Sequence, residues 1–340
     1  MLKLKISNLK RRLKSILSSK SKNASYSVGQ LYIPAVDVTV AGEGEKTYSV
    51  AMRLISEAPL QFEVTDMVPI LKGRNKSKTV QRPSRHTSFT CNICGKENID
   101  TDLNIIQSRE EPSCAQCGSS LRMRSTIRAL AIALFKKELP LPDFPCDKEI
   151  CGIGMSDWDG YALPLAKKLE YTNTYYHTAP RLDIMNITPD QHGKYDFIIS
   201  SDVFEHILPP ISTAFKNSWE LLKPGGSFIL TVPFTPTGKT LEHFPEIHEF
   251  QIKKQKGKPI LINITKDGKK EIFYNPIFHG GDGFTLEMRI FSEPDLMKEL
   301  TTAGFTDIQV QRQDHAEHGI IWPITWAVPI IAKKPALLCK

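Results

Sequence analysis

The 340-residue sequence has no uninterrupted apolar run near the roughly 18 residues that a membrane-spanning helix needs. Lysines interrupt the N-terminus throughout, so the apolar core of a signal peptide is also missing. No internal repeat is present. The composition, 41% hydrophobic and 24% charged, is that of a globular protein with one large core and one or two small modules. These features predict a cytoplasmic protein.

The chain has a net charge of +7, and its positive charge is concentrated in two segments, one without acidic residues and one with few. Residues 1–22 hold eight Lys/Arg and no acid, and residues 72–128 hold eleven Lys/Arg against five acids. The Leu and Ile side chains of residues 1–19 share one helical face, which predicts a basic amphipathic tail over residues 1–22. Such a tail can bind peripherally to an anionic membrane at its inner face. A solvated helix or a contact with a partner subunit is the alternative.

Residues 31–71 contain short β-rich runs broken by glycines and a proline. They predict a small β-rich unit to which the sequence assigns no role. The basic, polar segment from Lys72 to Arg85 predicts a linker.

Four of the seven cysteines form two CxxC pairs, separated by 19 residues: Cys91, Cys94, Cys114 and Cys117. In a cytosolic protein this pattern indicates a metal site and not disulfides. Four thiolates satisfy tetrahedral Zn²⁺ with no open coordination position. We therefore predict one structural Zn²⁺ in a ribbon over residues 88–121, followed by a helix that begins near Leu121.

Residues 148–234 alternate between strand and helix patterns, which predicts an α/β fold with a doubly wound parallel sheet. A short strand, Lys148–Cys151, precedes Gly152 and Gly154, which read as a tight turn where backbone can approach a ligand. The remaining predicted elements are a helix at Tyr161–Leu169, a strand at Tyr195–Ser201, a helix at Ser212–Leu222, a strand at Phe228–Val232, a helix at Glu293–Ala303, and strands at Thr306–Gln311 and Ile320–Ala332.

The glycine turn, DFIISSDVFEHI, LLKPGG and FILTVP, in that order, resemble class I S-adenosylmethionine-dependent methyltransferases. The resemblance is to bacterial, type 11-like members with an upstream four-cysteine ribbon, and it covers residues 88–335. It implies S-adenosylmethionine (SAM) as cofactor and a Rossmann-like methyltransferase domain over residues 122–340. It also implies that the insertion at residues 235–287, with a hairpin turn at Lys266–Lys269, caps the active site.

The resemblance also assigns the cofactor-binding residues. These are Glu149, Gly152, Gly154, Asp157, His177, Asp183, Ser201 and Asp202. Two departures from the family pattern stand out. The acid and glycine run is one residue shorter than usual, and no acid ends the second strand, where Tyr175–His177 stand. A ribose acceptor must come from elsewhere, or an aromatic ring stacks there instead.

Methyl transfer to a hydroxyl needs a base, and histidine is the usual candidate. His206, His243 and His279 follow the fourth and fifth strands, where an acceptor would lie. The pairs Glu205–His206 and Glu242–His243 predict carboxylates that hold the imidazole tautomers. The alternative is that these pairs only order their loops.

The resemblance favours O-methylation of a saccharide or glycan-linked acceptor. An RNA (rRNA base) methyltransferase is one alternative, supported by the basic segment with Arg122, Arg124 and Arg128 but not by any basic strand with interleaved aromatics. A non-catalytic zinc-ribbon module for binding or assembly is the other. It rests on the short glycine run and the missing ribose acid.

Overall fold

The computed structural model describes strands 32–40, 46–57 and 60–70 and residues 86–255, 257–279, 285–323 and 327–336. The chain divides into two compact units, Met1–Gln81 and Arg82–Lys340. The predicted tail at residues 1–22 and the predicted linker at residues 72–85 lie outside the described residues. No helix among the described residues is long and apolar enough to cross a membrane.

The first unit contains an antiparallel sheet of three strands, as its β-rich sequence predicts. The strands lie in sequence order, β1-β2-β3, and β2 is central. Their bounds are Tyr32–Val40 (β1), Lys46–Glu57 (β2) and Leu60–Ile70 (β3).

The second unit begins with the cysteine-containing segment. An antiparallel pair of strands and two helices form here: β4 (His86–Thr90), β5 (Glu97–Asp102), α1 (Leu103–Gln107) and α2 (Leu121–Phe135). Helix α2 ends where Lys136 adopts a left-handed conformation.

The main domain follows, with four strands and two helices before the insertion. They are β6 (Asp147–Met155), α3 (Asp159–Lys168), β7 (Leu169–Thr174), β8 (Tyr195–Ser201), α4 (Ser212–Leu221) and β9 (Leu222–Thr231).

Short strands then form the insertion and its return to the domain. They are β10 (Phe234–Thr235), β11 (Leu241–Glu242), β12 (Glu249–Gln255), β13 (Lys258–Ile264), β14 (Lys270–Tyr274), β15 (Phe278–His279), β16 (Thr285–Leu286) and β17 (Arg289–Ser292). β12, β13 and β14 form an antiparallel sheet, and Gly268, at a φ of 84°, lies in the tight turn between β13 and β14. The predicted hairpin is confirmed.

The chain closes with α5 (Glu293–Ala303), β18 (Thr306–Val310) and β19 (Ile330–Lys333). The predicted strand at Ile320–Ala332 is wrong over its first part. Only its end pairs with the sheet, while Ile320 makes a single bridge to His315.

The central sheet has the order β18-β19-β9-β8-β6-β7, with β9, β8, β6 and β7 parallel and β19 antiparallel to β9. Strand β8 shows why the sheet is doubly wound. Phe197 and Ile199 face the core that contains α2 and α3, while Ile198 faces the core that contains α4 and α5. The predicted α/β fold, with a Rossmann-like sheet, is confirmed.

Candidate active site

The four cysteines of the CxxC pairs converge on one point. Sγ of Cys91 lies 3.7 Å from that of Cys117, and Sγ of Cys94 lies 3.6 Å from that of Cys114. All four sulfurs lie within 4.8 Å of one another, and none forms a disulfide. A tetrahedral ion with metal–sulfur bonds of about 2.3 Å requires sulfur separations of about 3.8 Å. The cluster therefore fits a metal ion held by four thiolates.

Gly152 and Gly154 lie inside β6 and do not form the predicted turn. A Cβ on Gly152 would meet the Phe197 ring at 2.0 Å, and one on Gly154 would meet the Tyr171 hydroxyl at 1.9 Å. Their small size therefore accommodates the protein's own side chains. The turn comes later, at Ser156, whose φ of 57° is a conformation that favours glycine. Ser156 lies two residues beyond Gly154, as Gly154 lies two residues beyond Gly152.

Asp157 follows this turn and is buried. Its carboxylate accepts hydrogen bonds from the hydroxyl groups of Tyr161, at 2.7 Å, and Tyr171. Its backbone is held on both sides by the Asn173 amide, because Asp157 N donates to Oδ1 and Nδ2 donates to the Asp157 carbonyl. Burial raises the pKa of Asp157 to about 6. Asp157 therefore supports the turn, and its predicted contact with a cofactor stays a prediction.

Three other predicted cofactor residues, Glu149, His177 and Asp183, lie at separate positions. Glu149 is exposed near the start of β6, six residues and roughly 20 Å from the end of that strand, so the structure does not place it at the site. His177 is exposed just after β7, with its ring 4.7 Å from that of Tyr176. Asp183 accepts hydrogen bonds from the Met185 backbone and from the Asn186 side chain, so it orders its own loop.

Ser201 and Asp202, at the end of β8, are bound by arginines from the cysteine segment. Arg109 contacts Asp202 through two hydrogen bonds of 2.7 Å, and Arg122 lies 3.1 Å from the same carboxylate. Arg122 also donates to the Ser201 hydroxyl, at 2.7 Å. Burial opposes ionisation of Asp202, but the two arginines outweigh it and lower its pKa. We call Arg109, Glu110, Arg122, Ser201 and Asp202 the arginine cluster.

The arginines at the start of α2 are all engaged within the protein. Arg122 binds Glu110 in addition to its partners in β8. Arg124 is fully buried and donates to the carbonyls of Ser119 and Gly319. Arg128 pairs with Glu138. The RNA alternative rests on the basic segment 72–128, and these three of its arginines are committed to internal contacts.

The predicted histidines meet around two glutamates, but not in the predicted pairs. His243 donates from Nε2 to Glu287, at 2.9 Å, and His279 donates from Nε2 to the other oxygen of Glu287, at 2.8 Å. Glu205 lies 3.8 Å from His206, beyond hydrogen-bond distance. We call Glu205, His206, His243, His279 and Glu287 the histidine cluster.

The sequence led us to expect a hydrogen bond between Glu242 and His243, and the structure does not contain it. Glu242 accepts instead from Nε of Arg289, at 2.7 Å. Arg289 is fully buried and also donates to the carbonyls of Phe204 and Ile207. Glu242 is the last residue of β11 and His243 follows it, and the two side chains bind different partners, Arg289 and Glu287. Glu242 anchors the insertion to the loop that follows β8.

The two glutamates of the histidine cluster have pKa values that are shifted in opposite directions. Burial opposes ionisation of Glu287, but hydrogen bonds from His243 and His279 lower its pKa to about 2. Burial raises the pKa of Glu205 well above its ordinary value, and the negative charge of Asp202 adds to this effect. Burial also lowers the pKa of His206. Glu287 is thus a carboxylate with two imidazole donors, while Glu205 is a carboxyl group with none.

Two residues that hold these clusters together, Arg109 and Glu287, were not predicted from the sequence. Arg109 lies 93 positions from its partner Asp202, and Glu287 lies 44 positions from His243. Neither belongs to a recognisable motif. The insertion was expected to cap the active site, and it supplies His243, His279 and Glu287.

Comparisons with known proteins give the following similarities. The family model described as a methyltransferase domain matches residues 144–310. The curated proteins contain no match. Similar solved structures include the CurJ carbon methyltransferase, at 13% identity and a TM-score of 0.38, over 64% of this chain and 56% of that one. The chain thus spans less than two thirds of that structure.

Two further structures are similar over a comparable part of this chain. One is the 1,6-didemethyltoxoflavin-N1-methyltransferase of Burkholderia thailandensis, at 15% identity and a TM-score of 0.35, over 62% of this chain and 78% of that one. The other is CalS10, an amino pentose methyltransferase from Micromonospora echinaspora, at 11% identity and a TM-score of 0.34, over 64% of this chain and 92% of that one.

Proposed function

We propose that this chain, which carries a SAM-dependent methyltransferase domain over residues 144–310, methylates an oxygen atom of a saccharide or glycan-linked acceptor. The observation that carries the oxygen acceptor is the pairing of His243 with Glu287 in the histidine cluster. The saccharide class rests on the resemblance of the sequence to ribbon-bearing methyltransferases.

SAM supplies an electrophilic methyl group, so the protein must position the acceptor and take up its proton. His243 suits the second task. Its Nε2 donates to an ionised carboxylate, which leaves Nδ1 as the unprotonated nitrogen of the neutral ring. His206 is the weaker candidate, because a backbone carbonyl and not a carboxylate holds its Nδ1.

The residues available at the carboxyl ends of β6 and β7 fit a nucleoside cofactor in part. The turn at Ser156 brings backbone to this edge, and the exposed rings of Tyr176 and His177 follow β7. Because no acid ends β7, we propose that an aromatic ring contacts the cofactor here. His177→Ala should then weaken SAM binding without changing the far-UV circular dichroism, and an unchanged affinity would exclude this contact.

We further propose that Cys91, Cys94, Cys114 and Cys117 hold one structural Zn²⁺. The fit of the sulfur separations to a tetrahedral ion supports this. The segment between the two cysteine pairs also carries Arg109, and α2, which follows the second pair, carries Arg122. Folding of the ribbon around its metal would therefore fix both arginines against the end of β8.

The test of the proposed reaction is methyl transfer from labelled SAM to extract glycans, followed by mass spectrometry of the labelled product. His243→Ala should lower kcat by about 10²- to 10⁴-fold while SAM affinity stays the same. His248→Ala is the matched control, because His248 is an exposed histidine of the same insertion. Label in RNA, with binding that weakens steeply as salt rises, would contradict the proposal.

A further inference from the structure

Glu205 is a buried carboxyl group in the loop that follows β8. Its side chain is fully buried, and neither oxygen has a hydrogen-bond partner among the described residues. Burying a polar group without hydrogen bonds costs several kcal/mol, and burying a charge costs more. Such a group in a folded protein calls for an explanation, and a bound ion is one of the few available.

The two imidazoles beside Glu205 present bare nitrogens to it. Nδ1 of His206 lies 2.9 Å from the Leu286 carbonyl, which can only accept, so Nδ1 carries the hydrogen. Nε2 of His206 then holds a lone pair, 3.8 Å from Oε1 of Glu205. In the same way Nε2 of His279 donates to Glu287, which leaves the lone pair on Nδ1, 3.9 Å from the same oxygen.

With Glu205 ionised and both imidazoles neutral, the forms that bind a metal ion, three acceptor atoms face one another with no hydrogen between them. The carboxylate oxygen and the two nitrogens all lie within 4.8 Å of one another. Separations of 3.8 and 3.9 Å are too long for hydrogen bonds but shorter than two metal–ligand bonds of about 2.0–2.2 Å each. A cation in the middle would satisfy all three.

We propose that Glu205 Oε1, His206 Nε2 and His279 Nδ1 bind a divalent transition-metal cation. Two imidazoles and a carboxylate form the ligand set of open Zn²⁺ and Fe²⁺ sites, which keep positions for water or substrate oxygens. The outer hydrogen bonds are also those of a metal site, because each imidazole is held through its other nitrogen by Glu287 or by a backbone carbonyl. The His279 side chain is 38% exposed, so the site is open on one side.

This inference is independent of the proposed methyl transfer, since cation uptake is measured without turnover. In the full chain the cysteine ribbon would account for one zinc, so the new site appears as a second equivalent. Its donors are nitrogen and oxygen, whereas those of the ribbon are thiolates. Co²⁺ added to protein with its ribbon zinc retained should bind in about one equivalent. Its visible absorption bands should appear without the thiolate-to-cobalt charge-transfer bands in the near ultraviolet.

Variants identify the ligands. Glu205→Gln and His279→Ala should each weaken Co²⁺ binding at least 100-fold, and Glu287→Gln should weaken it by about 10- to 100-fold through the orientation of His279. His192→Ala, at another histidine beside a glutamate (Glu220), is the matched control and should change nothing. Ribbon zinc content and circular dichroism should stay unchanged in all four variants.

Two results would overturn the proposal. One is the absence of Co²⁺, Zn²⁺ and Mn²⁺ binding below millimolar concentrations, together with an infrared band of a protonated carboxyl group that disappears in Glu205→Gln. A proton on Glu205 would then explain the buried group. The other is cation binding that Glu205→Gln and His279→Ala leave intact.

Discussion

The arginine cluster and the histidine cluster both lie at the carboxyl end of β8. Each contains a carboxyl group, half-buried in Asp202 and fully buried in Glu205, but the surroundings of the two groups are opposite. Asp202 is bound by two arginines and is held ionised. Glu205, three residues later, has no hydrogen-bond partner within the described part of the chain, and its ionisation is suppressed. A carboxylate whose partners all come from the protein stabilises the fold. One whose neighbours are bare acceptors is arranged for something that the protein chain does not supply.

The cysteine segment positions the two arginines that bind Asp202. Removing its metal site should therefore have the largest effect on stability. Cys114→Ser removes one thiolate, and because a closed four-thiolate site supplies much of the folding free energy of so small a module, we expect zinc loss and local unfolding. Arg109 and Arg122 would then leave the end of β8. In protein whose histidine cluster has been emptied by chelator, the zinc content found by metal analysis should fall from about one per chain in the wild type to none in Cys114→Ser.

The control is Cys146→Ser, because Cys146 is exposed and lies outside the cluster. Full zinc retention in Cys114→Ser, or disulfides between these cysteines in the wild type, would show that the cluster is not a metal site.

Breaking the ion pair itself should have the next largest effect. Arg109→Met leaves the half-buried Asp202 with Arg122 as its remaining arginine. Loss of one partner of a fully buried pair costs about 3–5 kcal/mol, so we expect a loss of up to about 3 kcal/mol of the free energy of unfolding here. Urea unfolding measures this. Adding Asp202→Asn should recover part of the loss, because the uncompensated charge is then gone.

The matched control is Lys269→Met, which breaks an ion pair at a largely exposed lysine and should cost far less stability than Arg109→Met. Equal losses for Arg109→Met and Lys269→Met would mean that Asp202 does not need its arginines.

Asp157 gives a pH-dependent test of the same edge of the sheet. Its pKa is about 6 in the folded protein against an ordinary 3.8, so between these values the folded state binds more protons than the unfolded state. The free energy of unfolding therefore falls as pH rises through this window, and the penalty is complete above pH 6. At 1.36 kcal/mol per pKa unit it amounts to at most about 3 kcal/mol.

Asp157→Asn cannot ionise and should lack this contribution. Urea unfolding at pH 4 and at pH 7.5 should show the wild type losing stability relative to Asp157→Asn. The same pH dependence in both proteins would contradict the assignment.

The smallest effect, and one of opposite sign, should come from the histidine cluster. In metal-free protein Glu205→Gln removes an unpaired buried ionisable group, so it should leave the free energy of unfolding unchanged or raise it by about 1 kcal/mol. Thermal unfolding in the presence of chelator that leaves the ribbon zinc in place measures this, with the exposed Glu246→Gln as control. A loss of about 2 kcal/mol or more would show that Glu205 has a stabilising partner.

The sequence predicted the sheet better than the site. Tyr195–Ser201 and Glu293–Ala303 have the predicted bounds, because a continuous apolar run and an amphipathic helix with a serine before it and a glycine after it are local signals. The turn after β6 was placed too early, because a serine in a left-handed conformation gives no such signal.

Pairing between distant residues was the other limit. Glu242–His243 looked like a carboxylate–imidazole pair, but Glu242 binds Arg289 and His243 binds Glu287. The true partner, Glu287, becomes visible only when the insertion folds back onto the loop after β8. The reactive residue types could be predicted, and their partners could not.

A calorimetric titration of SAM into the full-length wild type and into Glu205→Gln tests most directly whether the cofactor and the acceptor use separate sites. If the β6 and β7 edge binds the cofactor and the histidine cluster serves the acceptor, both proteins should bind about one SAM per chain with the same affinity. No SAM binding by the wild type, or an affinity about ten-fold or more weaker in Glu205→Gln, would contradict the account.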